Sequence, residues 1–317
     1  MNRKKIGIVG VGNVGSNLAF LLATNKVCDE ILLKDIREDF AKAVALDISQ
    51  AVCNKNVTVN ACNGEDFKDC DIVVITAGIA RKPNMSREEL LLTNAKILSL
   101  VFDEILENNK NAIYIVVSNP LDAMVYAALK RTKLPKNRVF GMAGVLDSAR
   151  FRYYIAKALD FKFKDIKALV IGSHSNSMLP LVNHSFVDGK KLSDIFSKEQ
   201  LDEIVNNTKN GGAKIVELFK TSSAYFAPAH SIFLMCKAII DDTKEIFACC
   251  YMLENEYNCN GITMGVPVVL GKNGVESVVK LDLDGSELEL LKESSKTVEN
   301  SIEIIKKEFL WNRHLKF

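Results

Sequence analysis

The sequence carries no surplus of one charge: 41 Lys and Arg stand against 39 Asp and Glu, a formal net charge of +2. Without a basic excess, nothing global draws the chain to nucleic acid or to an anionic membrane, so any anion it binds must be held locally. There is no apolar run of about 18 residues, which excludes a membrane-spanning helix. None of the eight cysteines is spaced Cys-x-x-Cys, which argues against zinc ribbons and dithiol redox pairs, and no metal is implied. Cys28, Cys53, Cys62, Cys70, Cys236, Cys249, Cys250 and Cys259 read as small apolar groups of a reduced, cytoplasmic protein. Internal repeats and low-complexity linkers are also missing. Only four histidines occur, so imidazole chemistry has few positions to choose from. The basic start Asn2-Arg3-Lys4-Lys5 and the apolar residues after it have the outline of a secretory signal. Gly7, Gly10, Gly12 and Gly15 break that stretch, so a strand, a tight turn and a helix start are expected instead.

What is present is an ordinary globular composition, 48% hydrophobic and 25% charged over 317 residues. At roughly 150 residues per domain this is room for two domains. In the first half, short apolar runs alternate with segments of helical period, the pattern of βαβ units and a parallel sheet. Strands are expected at Lys5–Val9, Glu30–Lys34, Val57–Ala61, Asp71–Thr76, Ile113–Val117 and Val139–Met142. Several are apolar at consecutive positions, as strands covered on both faces should be. Helices are expected at Asp39–Gln50 and Ser86–Glu107, and beyond them at Leu146–Leu159, Lys198–Lys220, Tyr225–Ile240 and Ser286–Phe309. The later helices flank apolar runs at Ile166–Ile171, Ile246–Met252 and Ile262–Leu270. The expected fold is therefore α/β: a doubly wound parallel (Rossmann) sheet over residues 1–145, followed by an α+β substrate domain over residues 146–317.

Gly10-Val11-Gly12-Asn13-Val14-Gly15 follows the first strand and opens the helical segment Ser16–Ala23. In that context Gly10 permits the turn, Gly12 lets the backbone approach a pyrophosphate, and Gly15 lets the helix pack close to the strand. The diphosphate would rest on free N–H groups at the helix start. Asp35 ends the next strand twenty positions after Gly15, where a carboxylate accepts both adenosine ribose hydroxyls and repels a 2′-phosphate. The expected cofactor is NAD in preference to NADP, with Arg37 close by as a contrary feature.

His174 follows the run Ala168–Ile171, just past Gly172, and ligands gather beyond the carboxyl ends of strands in open α/β sheets. Asp147 and Arg150 lie three apart on one face of a helix start, which suits a surface ion pair as well as a site. Arg81-Lys82-Pro83-Asn84-Met85-Ser86-Arg87 is a polar stretch after a strand, with arginines fit for an anionic substrate or simply solvated. Val117-Ser118-Asn119-Pro120 closes another strand with a side-chain amide.

In order and spacing, these segments resemble the lactate and malate dehydrogenases, and more closely the malate dehydrogenases that are lactate-dehydrogenase-like in sequence. The resemblance spans essentially the whole chain: the glycine loop, Thr76-Ala77-Gly78, Arg81 through Arg87, Ser118-Asn119-Pro120-Leu121-Asp122, Leu146-Asp147-Ser148-Ala149-Arg150, and His174 with Met178 and Pro180. It implies that His174 donates a proton to a 2-keto acid while Asp147 holds the ring and stabilises the imidazolium. It implies that Arg150 pairs with the substrate's C1 carboxylate, that Arg87 polarises the carbonyl from a closing loop, and that Asn119 binds the substrate oxygen. Asn94, Val117 and Asn119 would line the cofactor beside the glycine loop, and Ser223 would lie near substrate. Arg81 would meet the second carboxylate of oxaloacetate, where lactate-type members carry a neutral group; the substrate is thus a small dicarboxylate. The resemblance also implies a homotetramer or homodimer and gives no part to nucleic acid or membrane. One departure is local: relatives commonly read Gly-Asp after the histidine, and this chain reads Ser175-Asn176. Rival readings are a lactate dehydrogenase, a short-chain reductase built on Tyr153-x-x-x-Lys157, and an inactive NAD-binding sensor.

Overall fold

The computed structural model describes residues 3–80, 85–162 and 165–311. The first half runs β1 (Lys5–Val9), α1 (Asn13–Thr24), β2 (Glu30–Lys34), α2 (Glu38–Ala51), β3 (Thr58–Ala61), β4 (Ile72–Ile75), α3 (Arg87–Ile105), β5 (Ile113–Val116), α4 (Leu121–Thr132) and β6 (Val139–Met142). The second half continues with α5 (Gly144–Ala158), β7 (Ile166–Lys167), β8 (Val170–Ile171), β9 (Leu179–Pro180), β10 (Phe186–Val187) and β11 (Lys190–Lys191). It ends with α6 (Lys198–Phe219), α7 (Phe226–Asp241), β12 (Glu245–Glu254), β13 (Asn260–Gly271), β14 (Gly274–Val278) and α8 (Gly285–Trp311).

The six strands of the first half are parallel, in the order β3-β2-β1-β4-β5-β6 of a doubly wound dinucleotide-binding sheet. Their apolar residues are buried at consecutive positions, all four of Ile72 to Ile75 being inaccessible, because helices cover both faces. Fully burying one such aliphatic side chain contributes about 1.5–3 kcal/mol, so these strands carry much of the core. Helix α1 packs on α7, while α3 packs on α4 and α8.

Two arrangements go beyond what the sequence pattern tells. First, the later strands do not form a sheet of their own: β12 pairs antiparallel with β6, Cys249 opposite Met142 and Cys250 opposite Gly141, and β13 and β14 follow. Among the described residues the result is one nine-stranded sheet through both halves. Second, the run Ile166–Ile171 is two short strands in two small sheets, β7 with β10 and β8 with β9. Gly172 then turns the chain at φ +87° and bridges to Gly265 of β13 through two 2.8 Å hydrogen bonds. His174 is thus brought to its place by a glycine bridge to the sheet, and not by the end of a long parallel strand.

Candidate active site

The turn after β1 is shaped by glycine at the positions the spacing selects. Gly10 has φ +91°, and a Cβ there would lie 2.6 Å from the Ala77 nitrogen; a Cβ on Gly15 would lie 2.1 Å from the Gly10 carbonyl. Gly12 instead faces open space, with nothing within 4 Å of a Cβ. The first turn of α1 has neither a side-chain cap nor an acidic residue, so its N–H groups remain available to an anion. Asp35 lies across the turn. Its carboxylate accepts the Val11 N–H at 2.8 Å and, from Arg37, the backbone N–H at 3.0 Å and Nε at 3.1 Å. Burial pushes the carboxyl up, but the bonds from Arg37 and Val11 outweigh it and hold the group below its ordinary range. Arg37 leans over the Phe40 ring, 4.1 Å from its centroid. A cleft of about 470 Å³ runs from Gly10 and Gly12 past Asp35 and Ile36 to Thr76 and Gly78. Open space at Gly12, an uncapped helix start and an anchored acid at the end of β2 fit a dinucleotide.

A second cleft of about 470 Å³ shares Thr76, Gly78 and Ile79 with the first, and Val14, Asn94, Val117, Asn119, Arg150, His174 and Ser223 all line it. At its end, His174 Nδ1 lies 2.7 Å from Asp147 Oδ2, and Arg150 Nη1 donates to the other oxygen of Asp147 at 3.1 Å. The Asp147 side chain is only 2% exposed and those of His174 and Arg150 about 15%, so these charges interact with little screening by water. Burial lowers the proton affinity of His174, but the Asp147 charge and hydrogen bond, with a further contribution from Asp122, outweigh it and leave the imidazole above its ordinary value. With Nδ1 engaged, Nε2 is the ring nitrogen left for proton transfer. Among the described residues Arg150 Nε is buried without a hydrogen-bond partner, a cationic donor fit for an incoming carboxylate.

The other expected residues differ in their settings. Asn94 is buried and its amide is fully used: it accepts the Ile79 N–H at 2.8 Å and donates to the Ile79 and Asn119 carbonyls at 3.1 and 2.7 Å. It ties the segment after β4 to the segment after β5. Asn13 donates to Ser222 at 3.2 Å, which joins the glycine loop to the Thr221–Tyr225 stretch that carries Ser223. Arg87 is exposed at the first position of α3, whose capping box is made by Ser86 and Glu89, and it lines a neighbouring cavity with Asn119 and His174. Arg81 lies outside the described residues. Tyr153 and Lys157 are exposed on α5 and line neither cleft, so the short-chain-reductase reading finds no support.

Sequence reasoning gives no part to Asp122, whose Oδ2 accepts the His174 backbone N–H at 2.8 Å. The available signal was the segment Asn119-Pro120-Leu121-Asp122 itself. The departure at Ser175-Asn176 also has a structural setting. Hydroxyls of Ser173, Ser175 and Ser177 contact one another at 2.7–2.9 Å, and Ser294 of α8 accepts the Ser173 N–H at 2.8 Å. The loop of the histidine is thereby held against the last helix.

Comparison with known proteins agrees with this geometry. Residues 4–141 match the model of the lactate/malate dehydrogenase NAD binding domain, and residues 144–309 that of the lactate/malate dehydrogenase alpha/beta C-terminal domain. A malate dehydrogenase of Aliarcobacter butzleri is 56% identical over 98% of this chain and 99% of its own, and one of Sulfurimonas denitrificans is 44% identical over 98% of both. Among solved structures, Cryptosporidium parvum malate dehydrogenase superposes with a TM-score of 0.93 at 40% identity, covering 96% of this chain and 99% of that one. The lactate dehydrogenase of the same organism, solved with lactic acid and nicotinamide adenine dinucleotide, superposes at 0.92 with 37% identity and the same coverage. A glycine turn opening onto a cleft that ends in a buried aspartate–histidine pair, matched by two family models in chain order, leads to one conclusion: this chain belongs to the lactate/malate dehydrogenase family.

Proposed function

We propose that this chain is an NAD-dependent malate dehydrogenase that interconverts malate and oxaloacetate, with His174 as proton donor and acceptor. The observation that carries the mechanism is the buried 2.7 Å contact between His174 Nδ1 and Asp147 at the end of a cleft continuous with the glycine loop. The choice of substrate is supported by relatives 44–56% identical to this chain that are named malate dehydrogenases.

When bound, NAD supplies the hydride chemistry at the substrate's second carbon. Residues 1–145 hold it through Gly10, Val11, Gly12, Asn13, Val14 and Gly15 at the diphosphate and Asp35 at the ribose; Asn94, Val117 and Asn119 complete that wall. Residues 146–317 supply the acid–base groups. Imidazolium His174 gives its Nε2 proton to the keto oxygen as oxaloacetate is reduced, and neutral His174 takes it back as malate is oxidised. Asp147 accepts the hydrogen bond from Nδ1 and stabilises the cationic ring. Arg150 pairs with the C1 carboxylate in the planar two-pronged geometry that lysine cannot form. Asn119 hydrogen-bonds the substrate oxygen, Arg87 polarises the carbonyl and Ser223 borders the substrate. Arg81 meets the second carboxylate, which would otherwise be buried unpaired at a cost of several kcal/mol.

The enzyme works as a homotetramer or homodimer in the cytoplasm. Pairing is supported by apolar side chains left exposed on α2 and α6, Leu46 and Leu218 being 61% and 69% accessible, and a reducing compartment by eight free thiols. Light scattering checks the assembly against the 35.2 kDa mass of one chain.

The direct test is oxidation of NADH by the purified protein, with oxaloacetate and pyruvate compared and NADPH as control. Faster turnover of oxaloacetate with NADH is expected. Preference for pyruvate would transfer the chain to the lactate branch of the family, and NADH binding without turnover would make it a sensor.

A further inference from the structure

Asp122 is the acidic group near the reacting end of the cleft that the mechanism above leaves unused. It is the second residue of α4, and only 8% of its surface is accessible. An acid in the first turn of a helix is favoured by the helix dipole, but that benefit does not require burying it. Here Oδ2 accepts the His174 backbone N–H at 2.8 Å, and Oδ1 is buried among the described residues with the Cys250 thiol, a weak donor, as its neighbour. The Asp122 carbonyl accepts the Thr263 hydroxyl at 2.6 Å, which pins the start of α4 to β13. A side-chain amide would hold the same N–H without burying a charge, so a carboxylate whose other neighbour is only a weak thiol donor is an expensive choice for a purely structural bond.

What a carboxylate adds is its charge. Asp147 holds the ring of His174, and Asp122 holds its backbone from a different element, so the imidazole lies in the field of two acids. The groups facing this pair are Arg150 from α5, which opposes the imidazolium, and Cys250 from β12, whose thiol is pushed well up by burial and by Asp122 and stays protonated. Burial pushes the Asp122 carboxyl up to about 6, against the His174 N–H and the His174 charge, so above that pH it carries its negative charge.

We propose that Asp122 is a positioning residue for the proton-transfer pair: it clamps the backbone of His174 and, as a second negative charge beside Asp147, favours the imidazolium that delivers the proton. The clamp places His174 relative to Asn119, only three residues before Asp122, and so relates the proton donor to the residue given to the substrate oxygen. This inference rests on the reading of His174 as the proton donor.

The test uses Asp122→Asn, which keeps an oxygen for the His174 N–H and removes the charge, and Asp122→Ala, which removes both. With four histidines in the chain, the imidazole Cε1–H signal of His174 can be assigned by its loss in His174→Asn and titrated by NMR in the protein without substrate. Asp122→Asn is expected to lower the His174 midpoint by about one pH unit. It should move the alkaline limb of kcat/KM for oxaloacetate reduction the same way by the same amount. Asp122→Ala should do both and also lower kcat, with little change in NADH affinity. A His174 midpoint in Asp122→Asn equal to that of the wild type would overturn the proposal, and this variant alone decides if Asp122→Ala does not fold. The two readings fail separately: a wild-type protein inactive on oxaloacetate removes the proposed function, while the NMR shift still decides whether Asp122 acts on His174.

Discussion

His174 is poised by opposing effects of burial. Removal from water disfavours the charged ring, yet the same removal strengthens its attraction to Asp147, and the attraction prevails. The sign of the pH dependence follows. In the proposed mechanism oxaloacetate reduction uses the protonated ring, so its kcat/KM should fall as pH rises through the His174 titration, which lies above that of a free imidazole. In the same proposal malate oxidation uses the neutral ring and should lose activity as pH falls through the same range. Measuring both directions across pH checks this, and limbs running the same way would remove His174 from the proton transfer. At this scale much of the candidate site was legible. The glycine spacing, Asp35, and the Asp147, Arg150 and His174 segments are local patterns with recognisable chemistry. Asp122 was not, because its contact is to a backbone N–H 52 positions along the chain, and backbone groups leave no mark in a sequence. The serine cluster beside His174 was hidden for the same reason, since its closing partner Ser294 is 121 positions away.

Among the elements, the parallel strands were legible because burial on both faces makes consecutive apolar runs, and α2, α3, α6 and α8 because one exposed face leaves a helical period. Helix α4 escapes that logic. Every residue from Leu121 to Leu129 is buried between the sheet and its neighbours, so no polar face marks the period. The joining of β12 to β6 was equally silent, as nothing local distinguishes a strand that extends a distant sheet from one that founds its own. Helix α6 holds a less obvious feature, the pair Gly211-Gly212 in its interior. A Cβ on Gly212 would lie 3.2–3.4 Å from the Arg150 guanidinium, so the glycine leaves that side chain its room. Gly212→Ala should therefore raise KM for oxaloacetate severalfold by crowding Arg150. The helix itself should gain about 0.5–1 kcal/mol from the loss of a glycine. Kinetics beside a thermal melt would show the two effects opposed; an unchanged KM would free α6 of any part in shaping the substrate end.

The whole molecule is organised by one sheet whose strand order reverses between β1 and β4, the place where ligands settle in doubly wound folds. The two clefts meet there, sharing Thr76, Gly78 and Ile79. One holds the glycine loop and Asp35; the other ends at the Asp147–His174 pair, which the second half of the chain contributes. Binding and chemistry are thus assigned to different parts of one trough, and a single substitution should separate them. The measurement that asks this most directly compares wild type with His174→Asn, following NADH affinity by fluorescence titration and oxaloacetate reduction by steady-state kinetics. The account predicts NADH affinity within about twofold of wild type and turnover lower by about 10²–10⁴-fold, the usual worth of a positioned acid–base group. Turnover near wild type with NADH affinity intact would contradict it.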